Sequence, residues 1–213
     1  MRRQLELTDA LQGEHARSLT ELREAEAACT RCPLYRFATQ VVPGEGRAHA
    51  RLMLVGEQPG DQEDLAGKPF VGPAGRILDQ ALEEAGISRH DVFVTNAVKH
   101  FKHEMRGKRR LHKRPNANEI ERCRWWLDQE RALVKPAVIV ALGATAARSL
   151  LRRVVTIRES RGQVHELDDG TPAIVTIHPS FLLRIEDAAD KERELRGFIA
   201  DLRKARRNLA QAA

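Results

Sequence analysis

The sequence lacks any long hydrophobic run. No stretch of its 213 residues approaches the about 20 uninterrupted apolar residues that a membrane-spanning helix needs. The first residues, Met1 to Glu6, also lack the apolar segment of a signal peptide. We therefore expect a cytoplasmic protein without a membrane partner, and its hydrophobic content of 42% is sufficient for a packed core.

Cysteine is scarce, with three residues in the chain. Three thiols in a cytosolic protein do not indicate disulfide bonds. Two of them form Cys29-Thr30-Arg31-Cys32, and Cys123 follows much later. This pattern suits a zinc ion or a [4Fe–4S] cluster, but the site lacks a fourth ligand, which His100 or His103 could supply. Three unrelated buried thiols are the alternative interpretation.

The common nucleotide-binding motifs are also missing. Gly56-Glu57-Gln58-Pro59-Gly60 follows a short apolar run, but no Gly-Lys-Ser/Thr completes a phosphate-binding P-loop. The chain carries no dinucleotide fingerprint, which disfavours a redox enzyme. No internal repeat, low-complexity tract or interdomain linker divides the sequence, so we expect one domain over residues 1–213.

Acidic residues are nearly absent between Lys99 and Arg114. This stretch contains eight lysines and arginines but one acid, Glu104. The formal net charge of the whole chain is +6, so the remainder is close to neutral. The net charge alone is weak support for any partner, but its concentration in one segment is typical of proteins that neutralise the phosphates of a nucleic acid.

Short apolar segments alternate with amphipathic ones, which predicts a parallel sheet covered by helices on both faces. We expect strands over residues 51–56, 92–98, 137–142 and 173–177, and helices over residues 14–28, 73–85, 118–134, 143–151 and 189–206. The fold class is α/β, a three-layer α/β/α sandwich around a central, mainly parallel, four-stranded sheet. The basic segment is expected to be a loop after the second strand.

The predicted strands end in polar residues that should meet at one edge of the sheet, where ligands bind in such folds. Glu57, Asn96 and His178 occupy these positions. Asn96 can pair with the edge of a nucleobase, and His178 can donate to a carbonyl oxygen that gains charge. Each residue alone is more often structural, and Phe70 is either a loop anchor or a platform for a base. Their joint placement predicts an active site.

Four segments resemble, in their order, the motifs of the iron–sulfur family-4 uracil-DNA glycosylases. They are Cys29-X-X-Cys32, Gly56-Glu57-Gln58-Pro59-Gly60, Asn96-Ala97-Val98-Lys99-His100 and His178-Pro179-Ser180. The segment Lys108-Arg109-Arg110-Leu111-His112 resembles the inserted loop that marks the UdgX subgroup, with Leu111 in place of the usual isoleucine. The resemblance covers about residues 29–185 and implies the uracil-DNA glycosylase fold.

The resemblance implies a [4Fe–4S] cluster as the cofactor. Cys29, Cys32 and Cys123 correspond to three of its ligands, and His100 corresponds to the fourth, so His100 is favoured over His103. The expected role of the cluster is structural, because it would hold the basic loop and the helix that carries Cys123 against the N-terminal segment.

The resemblance also implies removal of uracil from DNA after the nucleotide is extruded from the base stack. Phe70 would stack on the base, Asn96 would read its polar edge and His178 would stabilise the uracil anion. The implied uracil-binding residues are Gly56, Asp61, Phe70, Asn96 and His178; those expected to contact DNA are Lys108, Arg109, Arg110, Ser180 and Arg184, with Phe181 and Leu182 as candidates to fill the vacated stack. The implied partner is uracil-containing DNA, single-stranded or duplex, bound by a monomer associated with the nucleoid.

The UdgX resemblance assigns a covalent role to His112. Its imidazole would capture C1′ of the sugar after uracil leaves, where hydrolytic relatives use water. Glu57 would orient the imidazole or take its proton, and Gln58 would support that arrangement. Neighbouring cations are expected to lower the pKa of His112 and keep it neutral. The alternative is a histidine that contacts DNA without a covalent bond.

Two other functions compete with this interpretation. The first is a conventional family-4 glycosylase that hydrolyses the bond and turns over. The second is a zinc-stabilised nucleic-acid-binding module without catalysis, which would not need Glu57, Asn96 and His178 at one edge.

Overall fold

The computed structural model describes residues 15–211. The predictions for Met1 to Glu6 and for the first residue of the helix expected over residues 14–28 lie outside this range. Helix α1 spans Leu19–Ala27. It begins after Ser18, whose hydroxyl accepts a hydrogen bond from the backbone N–H of Glu21 (3.1 Å). The helix is shorter than predicted because Ser18 caps it.

A five-stranded sheet forms the centre of the molecule. The strands along the chain are β1 (Leu52–Gly56), β2 (Val92–Asn96), β3 (His103–Arg106), β4 (Arg109–His112), β5 (Val138–Leu142), β6 (Val164–Glu166) and β7 (Pro172–Thr176). The order across the sheet is β2-β1-β5-β7-β6. Neighbours from β2 to β7 are parallel, and β6 pairs antiparallel with β7 at one edge.

The predicted α/β class is confirmed, but the sheet has five strands rather than four. The additional strand, β6, is three residues long and places Val164 opposite Ile174. Val164 and Glu166 are exposed, so this strand shows no apolar run. A strand this short and this polar gives no periodicity that could be recognised in the sequence.

Helices cover both faces of the sheet. They are α2 (Asp61–Ala66), α3 (Pro73–Glu84), α4 (Ala117–Val134), α5 (Ala144–Leu151), α6 (Ile157–Ser160) and α7 (Ala188–Gln211). Leu52 and Leu54 belong to a hydrophobic cluster that includes residues of α3 and α7. Met53 and Val55 belong to a second cluster that includes residues of α4 and α5. Successive side chains of β1 thus point to opposite layers, which produces the three-layer sandwich.

The basic segment after β2 forms a β-hairpin rather than the predicted loop. Strands β3 and β4 pair antiparallel, from His103 opposite His112 to Arg106 opposite Arg109. Gly107 adopts a φ of +60°, which glycine permits in a tight turn. The hairpin carries charged residues on both faces, so no apolar alternation reveals it in the sequence.

None of the helices within residues 15–211 has the length and the apolar character that crossing a membrane requires.

Candidate active site

A pocket of about 1060 Å³ lies at the edge of the sheet where β1, β2, β5 and β7 end. Glu57, Asn96 and His178 all line it, so the three strand-end residues are brought together. His112 reaches the same pocket from the end of β4. The pocket therefore combines a carboxylate, an amide and two imidazoles.

His178 is held in one tautomer. Its Nδ1 accepts a hydrogen bond from the backbone N–H of Ser180 (3.2 Å), and the hydroxyl of Ser180 lies 2.8 Å from the same nitrogen. Because an accepting ring nitrogen carries no proton, the proton of the neutral imidazole is on Nε2. Burial, followed by the proximity of His112 and Arg184, lowers the pKa of His178 to about 4. His178 is therefore a neutral N–H donor near pH 7.

Asn96 and Phe70 form one wall of the pocket. The side-chain oxygen of Asn96 is buried and has no hydrogen-bond partner among the described residues. The ring of Phe70 lies with its centroid 5.9 Å from that of His178. A Cβ on Gly56 would lie 2.3 Å from Oδ1 of Asn96 and 2.6 Å from Cζ of Phe70, so glycine is required there. An unpaired amide oxygen beside an aromatic ring suits a planar ligand with an N–H group.

His112 and Glu57 face each other inside the pocket. Nε2 of His112 lies 3.3 Å from Oε1 of Glu57. Burial lowers the pKa of His112; Glu57 opposes this shift and Arg184 adds to it. This is the direction expected from the sequence, but the cause differs, because burial is the largest contribution and the cation involved is Arg184 rather than a hairpin neighbour.

Gln58 fixes the base of the hairpin. Its Nε2 donates to the carbonyl oxygens of Lys102 and Lys113, both at 3.1 Å, and its Oε1 accepts from the backbone N–H of Lys102 (3.2 Å). Lys102 precedes β3 and Lys113 follows β4. One amide thus holds both ends of the hairpin, and with them His112, against the loop that carries Glu57.

The guanidinium of Arg110 pairs with carboxylates of the protein itself. Its guanidinium contacts Oδ1 of Asp61 and Oδ2 of Asp64, each at 2.5 Å, and donates to the hydroxyl of Thr39 (2.9 Å). Asp61 lines the pocket, but it is the partner of this cation. Among the residues expected to contact DNA, Lys108 and Arg109 are the ones exposed on the hairpin.

The segment after His178 forms a 3-10 helix, Pro179–Arg184. Arg184 is exposed at the pocket, and its Nη1 donates to the hydroxyl of Ser180 (3.4 Å). Phe181 is 39% exposed, whereas Leu182 is 1% exposed and belongs to the core. The prediction that Leu182 could enter the base stack is therefore wrong, because its side chain packs in the hydrophobic core. The exposed apolar side chains here are Phe181 and Leu183.

The three cysteines are free, buried thiols in one hydrophobic cluster. Nε1 of Trp126 donates to Sγ of Cys29 (3.0 Å), and the backbone N–H of Lys99 donates to Sγ of Cys123 (3.2 Å). Burial raises the pKa of the Cys29 and Cys123 thiols and also that of Cys32. Residues 15–211 contain no group of three His, Cys, Asp or Glu side chains arranged to hold a metal ion.

His100 has the chemical properties of a metal ligand. It is buried, and its Nδ1 has no hydrogen-bond partner among the described residues. Burial lowers its pKa to about 4, so the imidazole is neutral and has a free lone pair. His103 instead belongs to β3 and stacks on Phe101, with ring centroids 5.0 Å apart. Three thiols and one unpartnered imidazole are donor types that an iron–sulfur cluster uses, although these described side chains are not arranged as a metal-binding group.

Two residues of the site were missed in the sequence. Glu63 in α2 accepts from the backbone N–H groups of Gly60 (3.1 Å) and Gly72 (2.7 Å), which ties the Glu57 loop to the Phe70 loop. Thr145 in the first turn of α5 donates to Oε2 of Glu57. Thr145 follows β5 at the same sheet edge, so the strand-end rule could have identified it.

The chain is similar to proteins of known family. The model of the Uracil DNA glycosylase superfamily matches residues 43–203. A type-4 uracil-DNA glycosylase of Thermotoga maritima is 39% identical over 180 residues, which are 84% of this chain and 88% of that protein. Type-4 uracil-DNA glycosylases of Pyrobaculum aerophilum and Archaeoglobus fulgidus are 37% and 34% identical over 173 residues, 78% of this chain and 85% and 83% of theirs.

Proposed function

The chain belongs to the uracil-DNA glycosylase superfamily, and from this premise we propose that it excises uracil from DNA and becomes covalently linked to the abasic sugar through His112. The observation that carries the proposal is the contact of His112 with Glu57 in the pocket that also contains Asn96 and His178. A nucleophile, a carboxylate partner, a base-reading amide and an anion-stabilising donor then surround one ligand.

Uracil enters the pocket as a flipped nucleotide. Its face lies against Phe70, and its N3–H donates to the unpartnered oxygen of Asn96. Gly56 makes this approach possible, because a side chain there would displace both groups. Binding satisfies a buried acceptor that otherwise has no partner among the described residues, which favours a ligand with an N–H at that position.

His178 assists departure of the base. As the bond between C1′ and N1 of uracil breaks, its electron pair moves to N1, and negative charge spreads to the carbonyl oxygen O2. The Nε2–H of neutral His178 donates to this oxygen, and the hydrogen bond strengthens as charge develops. The fixed tautomer of His178 supports this role.

His112 captures the sugar. A lone pair of its neutral imidazole forms a bond to C1′, which has become electron-poor after uracil leaves. The alkylated ring then carries a positive charge, which Glu57 balances until the remaining N–H proton passes to Glu57 or to water. The Gln58 contacts keep the hairpin in place, which raises the effective concentration of the imidazole at C1′.

DNA is held outside the pocket by exposed cations and apolar side chains. Lys108 and Arg109 on the hairpin and Arg184 at the pocket contact phosphates, and Ser180 lies beside Arg184. Phe181 fills the space that the flipped nucleotide leaves. The partner is uracil-containing DNA, and the protein acts as a monomeric single domain in the cytoplasm, associated with the nucleoid.

Cys29, Cys32, His100 and Cys123 would hold a [4Fe–4S] cluster. The burial of the three thiols in one hydrophobic cluster and the buried, unpartnered Nδ1 of His100 support this assignment. When bound, the cluster supplies a structural cross-link between the segment before the sheet, the segment after β2 and helix α4. A protein purified without oxygen should be brown, with iron and acid-labile sulfide in equal amounts; a colourless zinc protein would contradict the assignment.

A denaturing gel tests the covalent step. The protein is incubated with a fluorescent uracil-containing oligonucleotide, heated in SDS and resolved beside a thymine-containing control. We expect a band at the combined mass of protein and DNA with the uracil oligonucleotide, and no such band with His112→Ala. Release of uracil without the band would identify a hydrolytic enzyme that turns over, and neither product would indicate a binding module.

A further inference from the structure

The two oxygens of the Glu57 carboxylate have different partners. Oε1 faces Nε2 of His112 at 3.3 Å, whereas Oε2 accepts a hydrogen bond from Oγ1 of Thr145 (2.5 Å). Thr145 is 1% exposed and lies in the first turn of α5. Thr145 is therefore a buried donor that contacts Glu57 from inside the protein.

The direction of the Thr145 hydroxyl proton is set by Arg114. Nε of Arg114 donates to Oγ1 of Thr145 at 3.4 Å and lies 3.7 Å from Oε2 of Glu57. A hydroxyl has one proton to donate and lone pairs with which to accept. Since Oγ1 accepts from Arg114, its own proton is free to point at Glu57.

We propose that Thr145 is a positioning residue for the reaction, and that it holds Oε2 of Glu57 so that Oε1 faces His112. The inference rests on the proposed function of Glu57 and His112. Without the hydroxyl, the carboxylate turns toward Arg114, whose side chain is 66% exposed. Oε1 then moves away from the imidazole, and the capture of C1′ slows.

Thr145→Val tests the proposal, because valine keeps the shape of threonine and removes the hydroxyl. We expect the rate constant of adduct formation at saturating single-stranded uracil oligonucleotide to fall about 10- to 100-fold, the effect of losing a hydrogen bond to a charged group. The oligonucleotide concentration that gives half the maximal rate should stay within about twofold, since Thr145 is buried beneath Glu57. Thr145→Ser, which restores the hydroxyl, should recover most of the rate.

Thr176→Val is the matched control. Thr176 is also fully buried and donates to a carboxylate, Asp201 (2.6 Å), on the far side of the sheet. We expect this variant to lose thermal stability but to keep the wild-type rate of adduct formation. Equal slowing by Thr176→Val and Thr145→Val would overturn the proposal, because stability would then explain both.

A double-mutant cycle with Glu57→Gln separates positioning from general packing. If Thr145 acts through the carboxylate, Thr145→Val should slow the Glu57→Gln protein by less than about twofold. If Thr145→Val slows the Glu57→Gln protein as much as it slows the wild type, the proposal is overturned. If Thr145→Val does not yield folded protein, Thr145→Cys replaces it, because a thiol has a similar volume and is a weak donor.

Uracil release is followed in the same samples. A wild-type protein that releases uracil but forms no adduct would overturn the covalent function of His112. In such a hydrolytic enzyme Glu57 would orient the attacking water, so the ratio of wild-type to Thr145→Val release rates would still decide whether Thr145 positions Glu57, and the two failures are distinguishable.

Discussion

The guanidinium of Arg110 lies 2.5 Å from the carboxylate of Asp64, which is fully buried. Asp61 adds a second carboxylate at 2.5 Å, so the positive charge of Arg110 is compensated within the protein. The pair joins the hairpin to α2, two elements that are far apart in sequence. Arg110 therefore differs from Lys108 and Arg109, which belong to the same basic cluster but are exposed.

We expect Arg110→Ala to reduce stability and Lys108→Ala to weaken DNA binding. Arg110→Ala should lower the free energy of unfolding by about 1–3 kcal/mol, because a buried carboxylate loses its partner. Lys108→Ala should leave stability unchanged and reduce the slope of log K against log salt by about 0.7 for single-stranded DNA. Urea unfolding and salt titrations with an oligonucleotide that lacks uracil measure both. An unchanged urea midpoint with a reduced salt slope for Arg110→Ala would make Arg110 a phosphate contact.

Substitutions of two neighbouring residues in the 3-10 helix should also have different effects. Leu182→Ala should destabilise the protein by about 2–5 kcal/mol, since it opens a cavity in the core. Phe181→Ala should change stability by less than about 0.5 kcal/mol but slow uracil excision from duplex DNA more than from single-stranded DNA. Chemical unfolding and single-turnover excision provide the comparison. Equal slowing on both DNA forms would show that Phe181 does not replace the flipped base.

His178→Ala should slow uracil excision about 100- to 1000-fold without weakening DNA binding, because it removes the Nε2–H donor that acts on developing charge. Single-turnover rates at saturating oligonucleotide isolate this step. Ser180→Ala serves as the companion variant, since the backbone N–H of Ser180 that fixes the tautomer remains. A loss smaller than about tenfold for His178→Ala would show that His178 does not assist departure of the base.

The sequence predicted the parts of the fold that repeat a regular pattern. The four parallel strands have buried apolar residues, and polar residues follow them at one edge, so the positions of Glu57, Asn96 and His178 could be inferred. Strand β6 and the hairpin were not predicted, because short or charged strands have no apolar period.

Contacts between distant segments could not be read from the sequence. The capture of Arg110 by Asp64, the clamp that Gln58 forms on Lys102 and Lys113, and the burial of Leu182 all depend on how elements pack. The sequence gives the net charge of a basic cluster, but the structure determines which of its charged side chains are exposed to a partner.

The pH dependence of adduct formation should depend on the state of His112. Attack needs the neutral imidazole, so the rate should rise with pH and become constant once His112 is deprotonated. Because burial lowers the pKa of His112, the rise should be complete at a lower pH than for an imidazole with the ordinary pKa of 6.5. Single-turnover rates between about pH 4.5 and 8.5 at constant ionic strength measure this profile.

Two substitutions should move this profile in opposite directions. Glu57 raises the pKa of His112 and Arg184 lowers it. In Glu57→Gln the maximal rate should fall and the rise should shift to lower pH, since the proton on His112 is less stabilised. In Arg184→Ala the rise should shift to higher pH, because a repelling cation is gone. Shifts in the same direction, or a rise that persists unchanged when uracil excision alone is followed in His112→Ala, would assign the titration to a group other than His112.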